Sequence, residues 1–509
     1  MFVKGGPDVH EWLIDRRPAR RSQLLSGVLP DAAPRPDGAA QATRPPEAPR
    51  PANSPPAPQP SLFPQPTPSP AQTPRSHRTG NTQAPRSDGT HPPPDGTLAL
   101  GTETGSGKPI RIELSALRKH AAVFAGSGSG KTVLLRRIIE ECALLGVSSI
   151  VLDPNNDLAR LGDAWPSPPS GWGPDDAQLA ERYLEGTDVV VWTPGRATGR
   201  PLGFEPLPDF AGVLDDEDEF SAAVEVAVAA LAPQARLTGS TAKADIGLAV
   251  LRQTIVHHAR TGSRSLPELI DVLGDLPEGV TNLNGGRKIA AEVAELLKAA
   301  MVNDPLFAGT GTPVDPALLL TPADGKRARI SVISFAGLPS EAQRQSFVNQ
   351  LQMELFAWIK RNPAGDRPLG ALFVMDEAQT LAASGSLTAS TRSTIVLAAQ
   401  ARKYGLGLLF ATQAPKGLHN QIAGNATTQF FGRLNSPAQI AAANEMARAK
   451  GSPVADISRL ERAQFYVSGE AFGFRRVSTP LCLSHHPASP LRLEEVLARA
   501  RTGEGKGEG

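Results

Sequence analysis

From residue 97 onward, short apolar runs alternate with longer stretches of helical period. HAAVFA, SSIVLD, ALFVMD and LGLLFATQ are nearly continuous in apolar side chains and end in glycine or polar residues, the mark of strands buried on both faces. VLLRRIIEECALLG, which follows the first of them, has the spacing of an amphipathic helix and stops at Gly146. Apolar residues alternate by twos through Leu98 and Leu100, break at Gly-Ser-Gly, and alternate again through Ile110, Ile112 and Leu114, which predicts a hairpin. AQFYVSGEAFGFRRVS predicts a second, closing hairpin near the C-terminus. Strands that alternate with helices predict an α/β fold with a mostly parallel central sheet.

Two segments break this rhythm. Residues 206–327 carry helical periodicity almost throughout and predict a helical insertion, with DDEDEF at 215–220 as an acidic helix start. Twenty of the 48 prolines fall between Pro30 and Pro94, where too few apolar side chains are present to offset the entropy of ordering. Residues 20–96 are therefore expected to be a disordered, proline-rich arm. DVHEWLIDRR ahead of it has enough apolar and charged character for one short helix.

Composition narrows the picture only a little. The 509 residues include 40% hydrophobic side chains, with 52 Lys+Arg against 51 Asp+Glu, so any contact with nucleic acid has to be local. Two cysteines in no metal-ligand spacing suit a reducing compartment. No signal-peptide pattern opens the chain, and no apolar stretch approaches the roughly 20 residues needed to cross a bilayer. The expected location is cytoplasmic.

The chemistry is carried by the strand ends. G-S-G-K occurs twice, at 105–108 and 128–131. In the first copy Pro109 follows the lysine, removing both the hydroxyl and the helix N-terminus that phosphate binding needs, so this copy is a hairpin tip. The second lies between a strand and a helix. In AGSGSGKT, residues Gly126, Ser127, Gly128, Ser129, Gly130, Lys131 and Thr132 form a Walker A loop for ATP. Backbone N–H groups face the phosphates, Lys131 supplies charge, and Thr132 offers a hydroxyl to Mg²⁺. ALFVMD continues into Asp376-Glu377, a Walker B arrangement in which Asp376 serves Mg²⁺ and Glu377 is the general base. LGLLFATQ delivers Gln413 to a strand end, where it can sense the γ-phosphate or orient water, or simply close the strand with a hydrogen bond.

In this order AGSGSGKT, VLDPNND, ISFAGLPSEAQ, FVMDEAQ, ARKYGLGLLFATQ and QFFGRLNSP resemble the HerA and FtsK group of hexameric DNA-pumping ATPases, across 97–485. The resemblance implies a RecA-like P-loop NTPase core, hexameric assembly, and action on double-stranded DNA without sequence readout. It also implies an arginine finger, Arg402, acting on the ATP of a neighbouring subunit, with Lys403 as the lesser candidate. Arg433 matches a frequent arginine of the group, either a second sensor or part of a subunit-interface ion pair. Partners implied are DNA, further copies of the chain, and a nuclease or other effector. In the turn after Asp153 and in GLHNQIAGN, with Lys416 and His419 nearest in charge, lie the candidate pore segments.

The expected organisation is a docking helix at 1–19, the arm at 20–96, a hairpin remnant of an N-terminal barrel at 97–118 and the first half of the ATPase core at 119–205. The insertion at 206–327, the second half of the core at 328–485, and a C-terminal helix and tail at 486–509 complete it. A DNA translocase or helicase is the leading function. A conjugation or secretion ATPase that moves DNA or protein, and a nucleotide-gated scaffold in a defence system, are the alternatives.

Overall fold

The computed structural model describes residues 96–502 apart from 205, 209, 238–240, 305, 308, 310, 453, 455, 471 and 488. The expected docking helix, and the proline-rich arm up to residue 95, lie outside the described residues.

The first segment runs through β1 (Thr97–Glu103), β2 (Pro109–Glu113), β3 (Ala121–Phe124), α1 (Lys131–Leu144), β4 (Ser149–Asp153), α2 (Asp176–Gly186) and β5 (Thr187–Trp192). A short parallel pair, β6 (Leu202–Gly203) with β7 (Thr312–Pro313), closes the neck of a helical excursion. The helices of this excursion are α3 (Glu217–Leu231), α4 (Ala242–Ala259), α5 (Leu266–Gly274) and α6 (Gly286–Asn303). The chain then re-enters the sheet through α7 (Pro316–Leu320), β8 (Ala328–Ser334), α8 (Glu341–Arg361), β9 (Ala371–Met375), α9 (Ala389–Gln400) and β10 (Leu406–Thr412). It finishes with α10 (Asn420–Asn425), β11 (Thr428–Phe431), α11 (Pro437–Ala449), β12 (Gln464–Gly469), β13 (Phe472–Ser478) and α12 (Leu493–Thr502).

Eleven strands form one sheet in the order β2-β1-β13-β12-β11-β3-β10-β9-β4-β8-β5. The seven from β11 to β5 are parallel, and the four at the other edge are antiparallel. The apolar runs noted in the sequence are the parallel strands, and β3, β4, β9 and β10 are buried at every position because helices cover both faces. One face packs against α8, α9, α10 and α11, the other against α1, α2 and α12. The N-terminal hairpin is joined to this same sheet by β1 pairing with β13. Gly101 permits the approach: its φ is 132°, and a Cβ there would lie 2.0 Å from the Ser478 carbonyl oxygen.

The excursion has its own apolar core, in which Leu231, Leu251, Leu269, Leu273 and Leu297 are all fully buried. Asp216 caps α3, accepting a hydrogen bond from the Glu219 N–H at 2.9 Å, and the acidic run that follows complements the helix dipole. Among the described residues no helix is long and apolar enough to cross a membrane.

The polar side of α1 faces protein, so the helix is enclosed nearly all round: only Thr132 is less than buried. Residues 479–487 cross that side as a strap. Arg136, fully buried, donates to the carbonyl oxygens of Asp157 (2.9 Å), Arg160 (3.0 Å) and His485 (2.9 Å) and to Ser484 Oγ (2.5 Å). The Glu140 carboxylate accepts from the N–H groups of Leu483 (2.6 Å) and Ser484 (2.9 Å). Arg137 pairs with Glu141 (3.0 Å) and Asp176 (2.8 Å) and donates to the Leu481 carbonyl (2.9 Å). Charges removed from water need partners of this kind, and the strap supplies most of them.

Deleting one member of such a network costs on the order of 3 kcal/mol, because its partners stay buried without it. Glu140→Ala should therefore release the strap, and hydrogen exchange at the amides of Leu483 and Ser484 should accelerate by a factor on the order of 100. Unchanged protection at these two amides would show that the strap is held by other means.

Candidate functional site

The sheet order places β3 between β10 and β11, with β9 on the far side of β10. The C-terminal ends of these parallel strands therefore open onto one crevice, which is where open α/β sheets bind ligands. The loop 126–132 leaves β3 and wraps the N-terminus of α1. Gly130, with φ of 97°, turns the chain into the helix, and a Cβ there would lie 3.0 Å from the Ala463 backbone nitrogen. Ser129 is fully buried and closes the loop internally by donating to the Gly126 carbonyl at 2.6 Å.

Five of the residues singled out in the sequence meet here. Lys131 Nζ donates to Asp376 Oδ1 at 2.8 Å and to Glu377 Oε1. Gln413 Nε2 donates to the same Glu377 oxygen at 2.7 Å, and Ser127 Oγ donates to Gln413 Oε1 at 3.0 Å. Gln379 Nε2 donates to Glu377 Oε2 at 2.6 Å. Glu377 itself has left-handed backbone (φ 47°), a conformation that side chains with a Cβ adopt at a cost, so the fold holds it in place. Ser127, Lys131, Asp376, Glu377 and Gln413 line a cavity of about 580 Å³ that also takes in Thr132.

The electrostatics follow from burial and pairing. Burial disfavours ionised Lys131, but the charges and hydrogen bonds of Asp376 and Glu377 outweigh it and raise the ammonium above its ordinary value. Burial works against ionised Glu377 too, yet Lys131, helped by Gln413 and Gln379, holds its carboxyl below the usual value. For the more deeply buried Asp376 desolvation wins over Lys131, and the carboxyl is raised. Asp153 is fully buried and accepts from the N–H groups of Asp157 (3.0 Å), Leu158 (2.9 Å) and Ala159 (2.9 Å). Burial, only partly offset by those bonds and reinforced by the charge of Asp376, pushes Asp153 up to about 7.

Other sequence candidates lie elsewhere or in unexpected places. Arg402 precedes β10, at the end of the sheet opposite the crevice, and lines a separate depression with Arg118 and Lys119. Arg433 is close to the loop of its own chain, where Nη2 donates to the Gly128 carbonyl at 3.3 Å. The turn after Asp153, expected as a candidate pore segment, lines the same cavity through Asn155 and Asp157. Lys416 and His419 border a different cavity beside α11, where Lys416 pairs with Glu445 at 3.0 Å. Arg462 and His486 also line the first cavity. Neither stood out in the sequence, because each sits in an irregular segment with no motif around it.

Comparison with known proteins adds a family. The model described as "Helicase HerA, central domain" matches residues 97–354. No curated protein matches significantly. Among solved structures, VirB4 of Thermoanaerobacter pseudethanolicus is 14% identical, with 78% of this chain and 97% of that one covered at a TM-score of 0.47. The plasmid coupling protein TrwB in complex with a non-hydrolysable ATP analogue is 16% identical over 77% of this chain and 92% of that one, at a TM-score of 0.45. TrwB in complex with ADP and Mg²⁺ is likewise 16% identical, over 77% and 91%, at 0.44.

The lowered pKa of Glu377 has a consequence for stability. Its contribution is complete above the ordinary value of 4.5 and is lost as the pH falls through the lower folded value. Lys131→Met removes that contribution and leaves two carboxylates without their cation. The stability gap between wild type and variant, read from urea midpoints, should thus narrow as the pH drops below 4.5. A gap that stays constant on acidification contradicts the pairing.

Proposed function

This chain belongs to the family of the HerA helicase central domain, and on that premise we propose that it is an ATP-hydrolysing motor whose ring, a hexamer, moves double-stranded DNA. The observation that carries the reading is the meeting of Lys131, Asp376, Glu377 and Gln413 at the mouth of the 126–132 loop. In the proposed site, N–H groups of that loop and the N-terminus of α1 receive the triphosphate, and Lys131 supplies the cation. Thr132 and Asp376 are hard oxygen donors of the kind Mg²⁺ takes alongside substrate phosphates. The fit is supported by Asp376 itself, whose buried carboxyl is raised despite Lys131 and gains from a further positive charge. Bound Mg²⁺ neutralises phosphate charge.

Glu377 is the proposed base that orients and deprotonates the attacking water. Gln413 and Gln379 fix its carboxylate by donating to one oxygen each. Lys131 cannot serve phosphate and hold both carboxylates equally, so nucleotide binding draws it away from Glu377 and frees the base in the same event. Arg402 supports the ring: lying at the end of the sheet opposite its own cavity, it can act on a nucleotide only across a subunit boundary. DNA is engaged through phosphate contacts without sequence readout, and a cytoplasmic location belongs to the same proposal.

Two experiments test this reading. Mass measurement in solution with ATP, together with ATPase rates with and without double-stranded DNA, should give a hexamer stimulated several-fold by DNA. An assembled ring indifferent to DNA would sink the DNA reading. As a control, Glu377→Gln should bind ATP and assemble while turnover falls by a factor on the order of 100 or more. For the finger, Arg402→Ala subunits mixed with Lys131→Ala subunits should recover part of the hydrolysis that each lacks alone. Complete absence of recovery assigns Arg402 to its own chain.

A further inference from the structure

The lining of the cavity is of two chemical kinds. One is the phosphate cradle with its acidic pair. The other is Arg462, His486 and Pro487, which come from the far C-terminal part of the chain. We infer that the strap 479–487 forms a nucleobase subsite in cis, with the His486 ring as a stacking face for a purine and Arg462 at its rim. This rests on the nucleotide-binding reading above and adds the group that recognises the base.

The chemistry of the wall favours a flat heterocycle over a further anion. Burial, together with the positive charges of Arg136 and Arg462, pushes His486 down to about 4, so the ring is neutral near pH 7. A neutral imidazole is a poor partner for phosphate and a good surface for stacking, and Pro487 adds an apolar side chain to the same lining. Guanidinium groups such as that of Arg462 stack on or donate to purines and ribose oxygens.

The wall is also fixed relative to the cradle. Arg136 and Glu140, both on the helix that begins at Lys131, grip the strap at Leu483, Ser484 and His485. At its other end the Thr479 N–H donates to the Ala463 carbonyl at 2.8 Å, and the Ala463 N–H donates to the Ser129 carbonyl at 2.8 Å. Ala463 holds left-handed backbone (φ 65°), so the chain accepts local strain where it abuts the loop. Phosphate cradle and base wall are thus held by one anchored unit, and Arg136 and Glu140 act as positioning residues for His486.

Calorimetric titration of the full chain with Mg-ATP and with Mg-tripolyphosphate separates the two. Wild type should bind ATP more tightly than tripolyphosphate. His486→Ala should weaken ATP binding by about tenfold, the worth of one stacked base, while tripolyphosphate affinity stays within about twofold. His486→Phe, which keeps a flat ring, should restore ATP affinity, and Arg462→Ala should weaken ATP alone. Equal affinity of wild type for both ligands, an unchanged ATP affinity in His486→Ala, or an equal loss for both ligands overturns the subsite. Failure of wild type to bind either ligand overturns the nucleotide-binding reading itself.

Discussion

A charge withdrawn from water must be met by an opposite charge or by several hydrogen bonds, and this chain applies that rule along the whole length of α1. Lys131 at its first turn is met by Asp376 and Glu377 from the end of β9. Arg136, Arg137 and Glu140 further along are met by the strap and by Asp176. One helix therefore ties together the phosphate loop, the acidic strand end and the C-terminal segment. Loosening any of these leaves a buried ion without its partner, which makes the arrangement cooperative.

That cooperativity bears on function. The cation at the N-terminus of α1 is shared by two carboxylates, so in the proposed mechanism pairing with a triphosphate and holding the proposed base are alternatives for one ammonium group. Gln413 is connected to both sides, donating to Glu377 and accepting from Ser127 of the loop. Two hydrogen bonds thus connect the loop to the proposed base. Arg402 stands outside this circuit, at the opposite end of β10. In the proposed ring this distance becomes a condition of activity, since the charge it carries reaches a nucleotide only when subunits meet.

Much of the core was legible in the chain because its signals are local. A strand buried on both faces has to be apolar at nearly every position, so β3, β4, β9 and β10 announce themselves without reference to neighbours. Glycines in 126–132 are demanded by backbone geometry, and Asp376, Glu377 and Gln413 are conspicuous as polar residues ending apolar strands. The polar side of α1 was legible as polar but not as buried. Helical period records which residues differ from the apolar face, whereas the strap that covers them is more than 300 positions away. Arg462 and His486 left no signal for a related reason: each lies in irregular chain, Arg462 just before β12 and His486 in the strap, and only the tertiary fold brings them to the cavity.

The sequence alone determined an α/β fold with a mostly parallel sheet, a glycine-rich loop at a helix N-terminus, and an acidic pair at a strand end. These depend on period, backbone freedom and residue chemistry within a dozen neighbours. Only the tertiary structure decided that the N-terminal hairpin is the edge of the main sheet, that Lys131 is shared between two carboxylates, and that residues near 462 and 486 reach the cradle. Strand order and long-range pairing are set by how separate surfaces bury one another, and no window along the chain contains both partners.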